Sequence, residues 1–398
     1  MKVFYIVGQS EGGLPHYSAE LANNVATHAD VTVMKPSTTD GDELFDDEVQ
    51  LIDAFEPLGV SMSKIYNSSV DPRDVYHGLV SYTNVQQISD LNVDIVHDPT
   101  GLFPQVKVFV RYHGIDTDHP FVVTRHEVPM NRFSPSRPPV MVEEAIKAIL
   151  PEINEDLSIV HTDHQRDALI AQGRMPAEQV SVIPHGAYSV FGDRDDLSTD
   201  PEPNTILFFG NVVPPKGIDT IIRAIPQIKS EIPDVKLLIA GDGRIPNEVQ
   251  SIIDSHPENF DIHNYFIPNK DVIDFFARAE LVVLPYRSQN GSKGHSGALS
   301  TAFSFGKPVV ASTAGDFRNL VAETGAGTVV PPENPTALAD AISTVLTDEE
   351  VKAQMSTQSH QMADQLSWER IAEKHVELYE RLLSDSTVTV PTQFRSIN

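Results

Sequence analysis

The sequence predicts an α/β protein of two Rossmann-like parallel-sheet domains facing each other across a cleft, with C-terminal helices packing back. Three observations predict it. Short apolar runs alternate with amphipathic stretches, this alternation runs through twice, and a polar, acidic, proline-bearing stretch from Phe191 to Asn204 separates the two rounds. The 398 residues suffice for two full cores. The expected layout is an N-terminal domain at 1–192, a C-terminal domain at 205–365, a closing helix at 366–383 returning to the first domain, and a polar tail at 384–398.

In the first half, Lys2 to Val7 is an apolar and aromatic run with no period of its own, which reads as a buried strand. Gly12-Gly13 follow, then helical spacing through Tyr17, Leu21, Ala22 and Val25, then a second strand at Val31 to Val33. This order opens a doubly wound sheet, in which loops after strand C-termini carry ligand contacts. The glycine pair lacks the three spaced glycines of a dinucleotide fingerprint, so no NAD site is read here. Further strands are expected at Ile95 to His97, Val106 to Val110, Val122 to Thr124, Leu157 to His161 and Val180 to Ile183, with a helix through Gln165 to Gln172. Arg125-His126-Glu127 lies just past one of these strands, where such folds hold their chemistry, and His126 is a candidate on that ground.

The second half is punctuated more clearly. Ile206 to Phe209 reads as a strand, GNVVPPKG at Gly210 to Gly217 as a loop, and Ile218 to Ile232 as an amphipathic helix interrupted by Pro226. Val235 to Ile239 is the next strand and ends in Ala240-Gly241-Asp242-Gly243. A helix around Asn247 to Asp254, a strand near Ile262 to Phe266, a helix at Asp271 to Ala279 and a strand at Leu281 to Leu284 follow. Beyond Pro285-Tyr286-Arg287, Ser296 is a good N-cap for a thin helix from Ala298 to Phe305, and Gly306-Lys307-Pro308 turns the chain into the strand Val309 to Ala311. The start of that helix carries free N–H groups and the positive end of a dipole, which suits an anion such as a diphosphate. Pro335 to Leu346, Asp348 to Gln365 and Trp368 to Leu383 are helical, and the last begins at the only tryptophan.

Charge and composition narrow the function classes. Fifty-six Asp and Glu against 29 Lys and Arg give a formal net charge of -27, which argues against sequence-independent binding to nucleic acid or to anionic lipid. Acidity dispersed along the chain resembles that of proteins from salt-loving organisms, in which concentrated cations screen the surface. The absence of cysteine excludes disulfides, thiolate nucleophiles and Cys-ligated zinc. No segment approaches the ~20 apolar residues of a membrane span, and a cytoplasmic protein is expected.

With GNVVPPKG, IAGDG and SGALSTAFSFGKPVVAS in this order, the second half resembles the donor domain of the retaining GT-B glycosyltransferases called family 4 or group 1. Gly12-Gly13, Asp94 to His97, Thr124 to Glu127, Val182 to Gly186 and the helix from Trp368 extend the resemblance over nearly the whole chain. It implies transfer of a sugar from a nucleotide-sugar donor, of UDP or GDP type, to a glycan or lipid-linked acceptor. It implies a fixed cation at Lys216 on the leaving diphosphate, and backbone N–H groups of Ser296, Gly297, Ala298 and Leu299 on the same group. Gly12 and Gly13 would let the first loop approach ligand closely, and His126 would sit near the transferred sugar. No metal is needed where cation and dipole serve. A lipid-linked acceptor would bring the protein to a membrane as a peripheral visitor.

The sequence also departs from the group. Lys293 and Thr301 stand where many members carry a glutamate pair, Asn211 and Val213 lie near the usual place of an arginine, and Asn319 replaces another glutamate. A subset with a serine-glycine segment in place of the pair is similar to YRSQNGSKGHSGAL, in which Arg287, Lys293 and His295 are candidate compensating cations. A binding protein that kept the fold but lost the chemistry is the alternative expectation, and an epimerase or phosphorylase of similar shape is a third.

Overall fold

The structure is a computed structural model that describes residues 1–57, 72–128, 152–173, 175–189, 191, 201–287, 293–294 and 296–386. Most of the acidic stretch between the two halves, His295 and the end of the polar tail lie outside the described residues.

The first sheet is parallel and has seven strands in the order β3-β2-β1-β4-β5-β7-β8. They are β1 (Lys2–Ile6), β2 (Asp30–Pro36), β3 (Gln50–Phe55), β4 (Ile95–Asp98), β5 (Phe121–Arg125), β7 (Leu157–Val160) and β8 (Val180–Val182). The second, also parallel, has the order β11-β10-β9-β12-β14-β15. Its strands are β9 (Thr205–Phe209), β10 (Lys236–Ala240), β11 (Phe260–His263), β12 (Leu281–Leu284), β14 (Val309–Ser312) and β15 (Gly327–Val330). β4, β7, β12 and β14 are buried at every position, as expected for strands covered by helices on both faces. Both sheets reverse strand order beside their first strand, at β1/β4 and at β9/β12, which are the points where open α/β sheets leave a crevice.

The α-helices of more than four residues among the described residues are α1 (Gly13–Ala26), α2 (Pro72–Ser81), α3 (Pro104–Tyr112), α4 (Asp163–Ala171), α5 (Ile218–Glu231), α6 (Gln250–Ser255), α7 (Asn269–Arg278), α8 (Gly297–Ser304), α9 (Pro335–Thr347), α10 (Glu349–Gln365) and α11 (Trp368–Ser386). α11 returns to the first sheet: Trp368, Ile371, Ala372, Leu378 and Tyr379 share one buried cluster with Val3, Tyr5, Tyr17 and Leu21. A two-stranded antiparallel pair joins the halves again, with β13 (Lys293–Gly294) against β6 (Glu127–Val128).

Three sequence expectations are corrected. Val106 to Val110 is not a strand but the middle of α3. Val-Lys-Val-Phe-Val matches period two, yet Pro104 in the first turn favours helix, and the four-residue spacing puts both Val106 and Val110 at 0% exposure. Pro226 does not interrupt α5, which is continuous. Pro226 lies on its exposed side, while Ile221, Ile222, Ile225 and Ile228 are locked into the core. The strand expected at Ile262 to Phe266 begins at Phe260 and ends at His263, because its partner β10 ends opposite, at Ala240 before the Gly241 turn. Tyr265 and Phe266 are exposed past its end.

Candidate active site

The switch point of the second sheet brings two loops together. The loop after β9 ends in the short turn Pro214–Lys216, and Gly217 follows at φ +67°. A Cβ on Gly217 would stand 2.0 Å from the Pro285 carbonyl oxygen, so only glycine lets this loop lie against the chain leaving β12. That approach delivers Lys216 to Tyr286. The ammonium donates to the Tyr286 hydroxyl at 2.6 Å and lies 3.8 Å from the ring centroid. The Tyr286 hydroxyl lies 2.7 Å from the hydroxyl of Ser296, the N-cap of α8. A continuous chain of Lys216, Tyr286 and Ser296 therefore fixes a cation at the positive end of a helix, and both favour an anion. The Ser296 carbonyl and hydroxyl oxygens already take the Leu299 N–H, while Gly297 and Ala298 head the helix, where N–H groups have no intrahelical acceptor.

Tyr188 ties this corner to the first sheet. Its buried hydroxyl donates to the Gly13 carbonyl at 3.1 Å, and a Cβ on Gly297 would sit 3.5 Å from its ring. The glycine loop and the start of α8 thus lie on two sides of one tyrosine. Gly12, at φ +87°, donates to the Asp40 carboxylate at 2.6 Å. His16 joins the halves, reaching the Gly12 carbonyl at 3.0 Å and the Asn269 side-chain oxygen at 2.7 Å.

His126 lies at the end of β5 inside a cluster of rings. Tyr17 stands edge-on 4.6 Å away, His161 is 4.8 Å and His185 6.1 Å from it, and Trp368 meets Tyr17 edge to face at 5.0 Å. Burial pushes the His126 imidazole down to about 4, and burial plus neighbouring imidazoles hold His161 well below the usual histidine range. His126 reaches the carbonyl of Pro99 at 2.8 Å. That carbonyl is set by Asp98, whose buried carboxylate accepts from the N–H groups of Thr100, Gly101 and Leu102 and from the Thr100 hydroxyl. The tight turn holds Leu102 at φ +58°, a left-handed conformation unusual for leucine. Burial raises Asp98 to about 6.

Other sequence candidates sit apart from this corner. Arg287 is drawn to Asp219 at 2.6 Å and to Glu333 at 3.4 Å, bordering a cavity of 430 Å³ shared with Val213, Asp219 and Arg244. Asn211 is exposed at the start of the β9 loop. Lys293 is described only through its backbone in β13, and His295 lies outside the described residues. The buried Thr301 turns its hydroxyl back to the Gly297 carbonyl at 2.9 Å. Sequence reasoning passed over Tyr286, Tyr188, His161 and Asn269. An aromatic two residues past the end of a buried strand was the available signal for Tyr286; the others are recognisable only through contacts with distant chain.

Residues 203–348 match the family model described as glycosyl transferases group 1. Among curated proteins, the chain is 26% identical over 252 residues to D-inositol 3-phosphate glycosyltransferase of Corynebacterium glutamicum (strain R), covering 59% of either chain. It is 25% identical over 206 residues to alpha-D-kanosaminyltransferase of Streptomyces kanamyceticus, over 49% of this chain and 52% of that one. The matches thus span little more than half the length of these relatives. Among solved structures, Anabaena Alr3699/HepE in complex with UDP superposes with a TM-score of 0.67 at 18% identity, over 96% of this chain and 100% of that one. Sucrose-phosphate synthase from Thermosynechococcus elongatus gives 0.71 at 18% identity, over 97% and 100%. Residues 203–348 therefore resemble the glycosyl transferases group 1 model, and the whole chain shares the two-sheet GT-B fold of these solved structures.

Proposed function

We propose that the protein is a retaining glycosyltransferase that moves a sugar from a nucleotide-sugar donor to a hydroxyl of a glycan or lipid-linked acceptor. The carrying observation is the chain Lys216–Tyr286–Ser296 at the start of α8, a cation and a helix end at the second sheet's switch point. In this reading the donor diphosphate lies against Lys216 and the Gly297 and Ala298 N–H groups, which stabilise the charge that builds as the sugar C1–O bond breaks. The acceptor oxygen bonds to C1, and its proton passes to the departing diphosphate. Cation and dipole meet the charge of the leaving group, so the reading calls for no metal. Gly12, Gly13 and His126 border the sugar from the first sheet. The UDP named in the HepE complex favours a uridine donor here.

A donor-binding protein without turnover is the second reading. Thr301 motivates it, since its hydroxyl is spent on Gly297 and does not replace a carboxylate. Nucleotide release from a panel of UDP- and GDP-sugars, with ligand-induced thermal stabilisation on the same samples, separates the two. Release of one nucleotide supports the transferase. Stabilisation without release, with glycan and lipid acceptors supplied, refutes it.

A further inference from the structure

Asn269 spends its side chain on the other half of the molecule. It stands in the first turn of α7, which is fixed in the second core by Ile267 just before it and by Val272, Phe275 and Phe276. Its amide nitrogen donates to the Asp40 carbonyl oxygen at 2.8 Å and reaches the Glu43 carboxylate at 3.5 Å. A carbonyl oxygen only accepts, so the Asp40 contact fixes the orientation of the amide and turns its oxygen to His16, at 2.7 Å.

His16 and Asp40 are also the residues that grip Gly12. The other ring nitrogen of His16, buried on α1, lies 3.0 Å from the Gly12 carbonyl oxygen, and the Asp40 carboxylate accepts the Gly12 N–H at 2.6 Å. Asn269, His16, Gly12 and Asp40 thus form a closed ring of contacts, with Asn269 alone coming from the second half. At φ +87° Gly12 occupies backbone space that glycine enters without strain, and among the described residues a Cβ there would meet only the Gln9 side-chain nitrogen, at 3.9 Å. Packing against Gly12 therefore does not hold the bend; the hydrogen bonds at its two backbone polar groups do. Beside it Gly13 is exposed, and its carbonyl takes the hydroxyl of Tyr188, whose ring lies against Gly297 of α8.

We propose that Asn269 is a positioning residue: from the second half it holds His16 and Asp40, and through them the backbone of Gly12, in the place the glycine loop takes beside the head of α8. The grip on Gly12 stands on geometry alone. Its effect on turnover rests on the transferase reading, in which Gly12 and Gly13 border the sugar. In that reading the loop is ordered when the halves are joined, because a residue that orders it belongs to the opposite half.

The test is amide hydrogen exchange of the full chain, joined to the kinetics of Asn269→Ala, His16→Ala and the double variant. Asn269 is half-buried at a helix start, and Asn269→Ala leaves α7 anchored by Val272, Phe275 and Phe276. In this variant the Gly12 N–H is expected to exchange about tenfold faster or more, with protection in α7 and β11 unchanged. kcat is expected to fall about tenfold with donor KM within about twofold of wild type, because a misplaced loop costs the transition state while Lys216 still holds donor. Residues that act through one ring lose it once, so the double variant should fall about tenfold, where independent roles would give about a hundredfold. Unchanged Gly12 exchange in Asn269→Ala overturns the grip. A raised donor KM at unchanged kcat marks a mere fastener between the halves and overturns the positioning role, as do losses that multiply in the double variant. Should His16→Ala fail to fold, the exchange and kinetics of Asn269→Ala still decide. Faster Gly12 exchange on this substitution in a protein that releases no nucleotide refutes the transferase reading alone. An active protein whose Gly12 exchange and kcat do not respond to it refutes the grip alone.

Discussion

Above the C-terminal ends of the two sheets the same chain meets two different solutions. Over the first sheet the space is filled by the protein's own rings: Tyr17, His126, His161, His185 and Trp368 stack edge to face, and Tyr5, His97 and Tyr379 join hydroxyl to imidazole below them. Over the second, Lys216, Tyr286 and Ser296 line up at a helix end with their polar atoms bound to one another and the head of α8 without intrahelical acceptors. One region is filled ring against ring and holds α11 to the first sheet. The other sets a cation at the positive end of a helix, which favours an anion. Change in the first region should appear as stability and pH dependence, and change in the second as lost turnover in a folded protein.

The largest effect expected is at the second region. Lys216→Ala should lower nucleotide release by about 10²–10³-fold, as expected for loss of a preorganised charge on a leaving group, with thermal unfolding within a few degrees of wild type. Turnover near wild type would break the comparison. Gly186→Ala is its counterpart over the first sheet. The added Cβ would meet the Trp368 indole at 2.4 Å, and a loss of about 3 kcal/mol in chemical denaturation is expected, with donor binding at low temperature retained.

Titration sharpens the contrast further. His97, His126, His161 and His375 are all depressed by burial, His126 and His375 to about 4, so the unfolded chain binds more protons than the folded one between about pH 6.5 and pH 4. Their contribution to stability is present above about pH 6.5 and is lost as pH falls. Asp98, raised to about 6, runs the other way: its contribution is complete below about pH 3.9 and lost as pH rises through 6. Four groups against one leave a net loss on the order of a few kcal/mol on acidification, measured as a falling Tm from pH 7 to pH 4. A Tm that rises over this range would mean that the rings are not buried as described. The smallest effect is expected for Tyr286→Phe, which removes the hydroxyl linking Lys216 to Ser296 and should reduce turnover about tenfold at unchanged stability.

Much of this was decided by residues close in the chain. Lys2 to Val7, Leu281 to Leu284 and Val309 to Ala311 are apolar because both faces of a parallel strand are covered, and the Ser296 cap and Gly306 stop bracket α8 without help from distant chain. Strand-helix alternation and the order of GNVVPPKG, AGDG and SGALSTAFSFGKP pointed to two sheets and to the corner that holds Lys216. Tertiary structure decided the rest, because a side chain's partner depends on which distant backbone reaches it. Val106 to Val110 carries both periods, and packing against the first sheet selected the helix. Arg287 reads as a free cation in the sequence, yet Asp219 and Glu333 draw it aside, while Tyr286, 70 positions from Lys216, receives the ammonium. His126 was legible as a histidine past a strand. That it faces His161, 35 positions on, with a carbonyl at either end of the pair, follows only from the parallel register of β5 with β7.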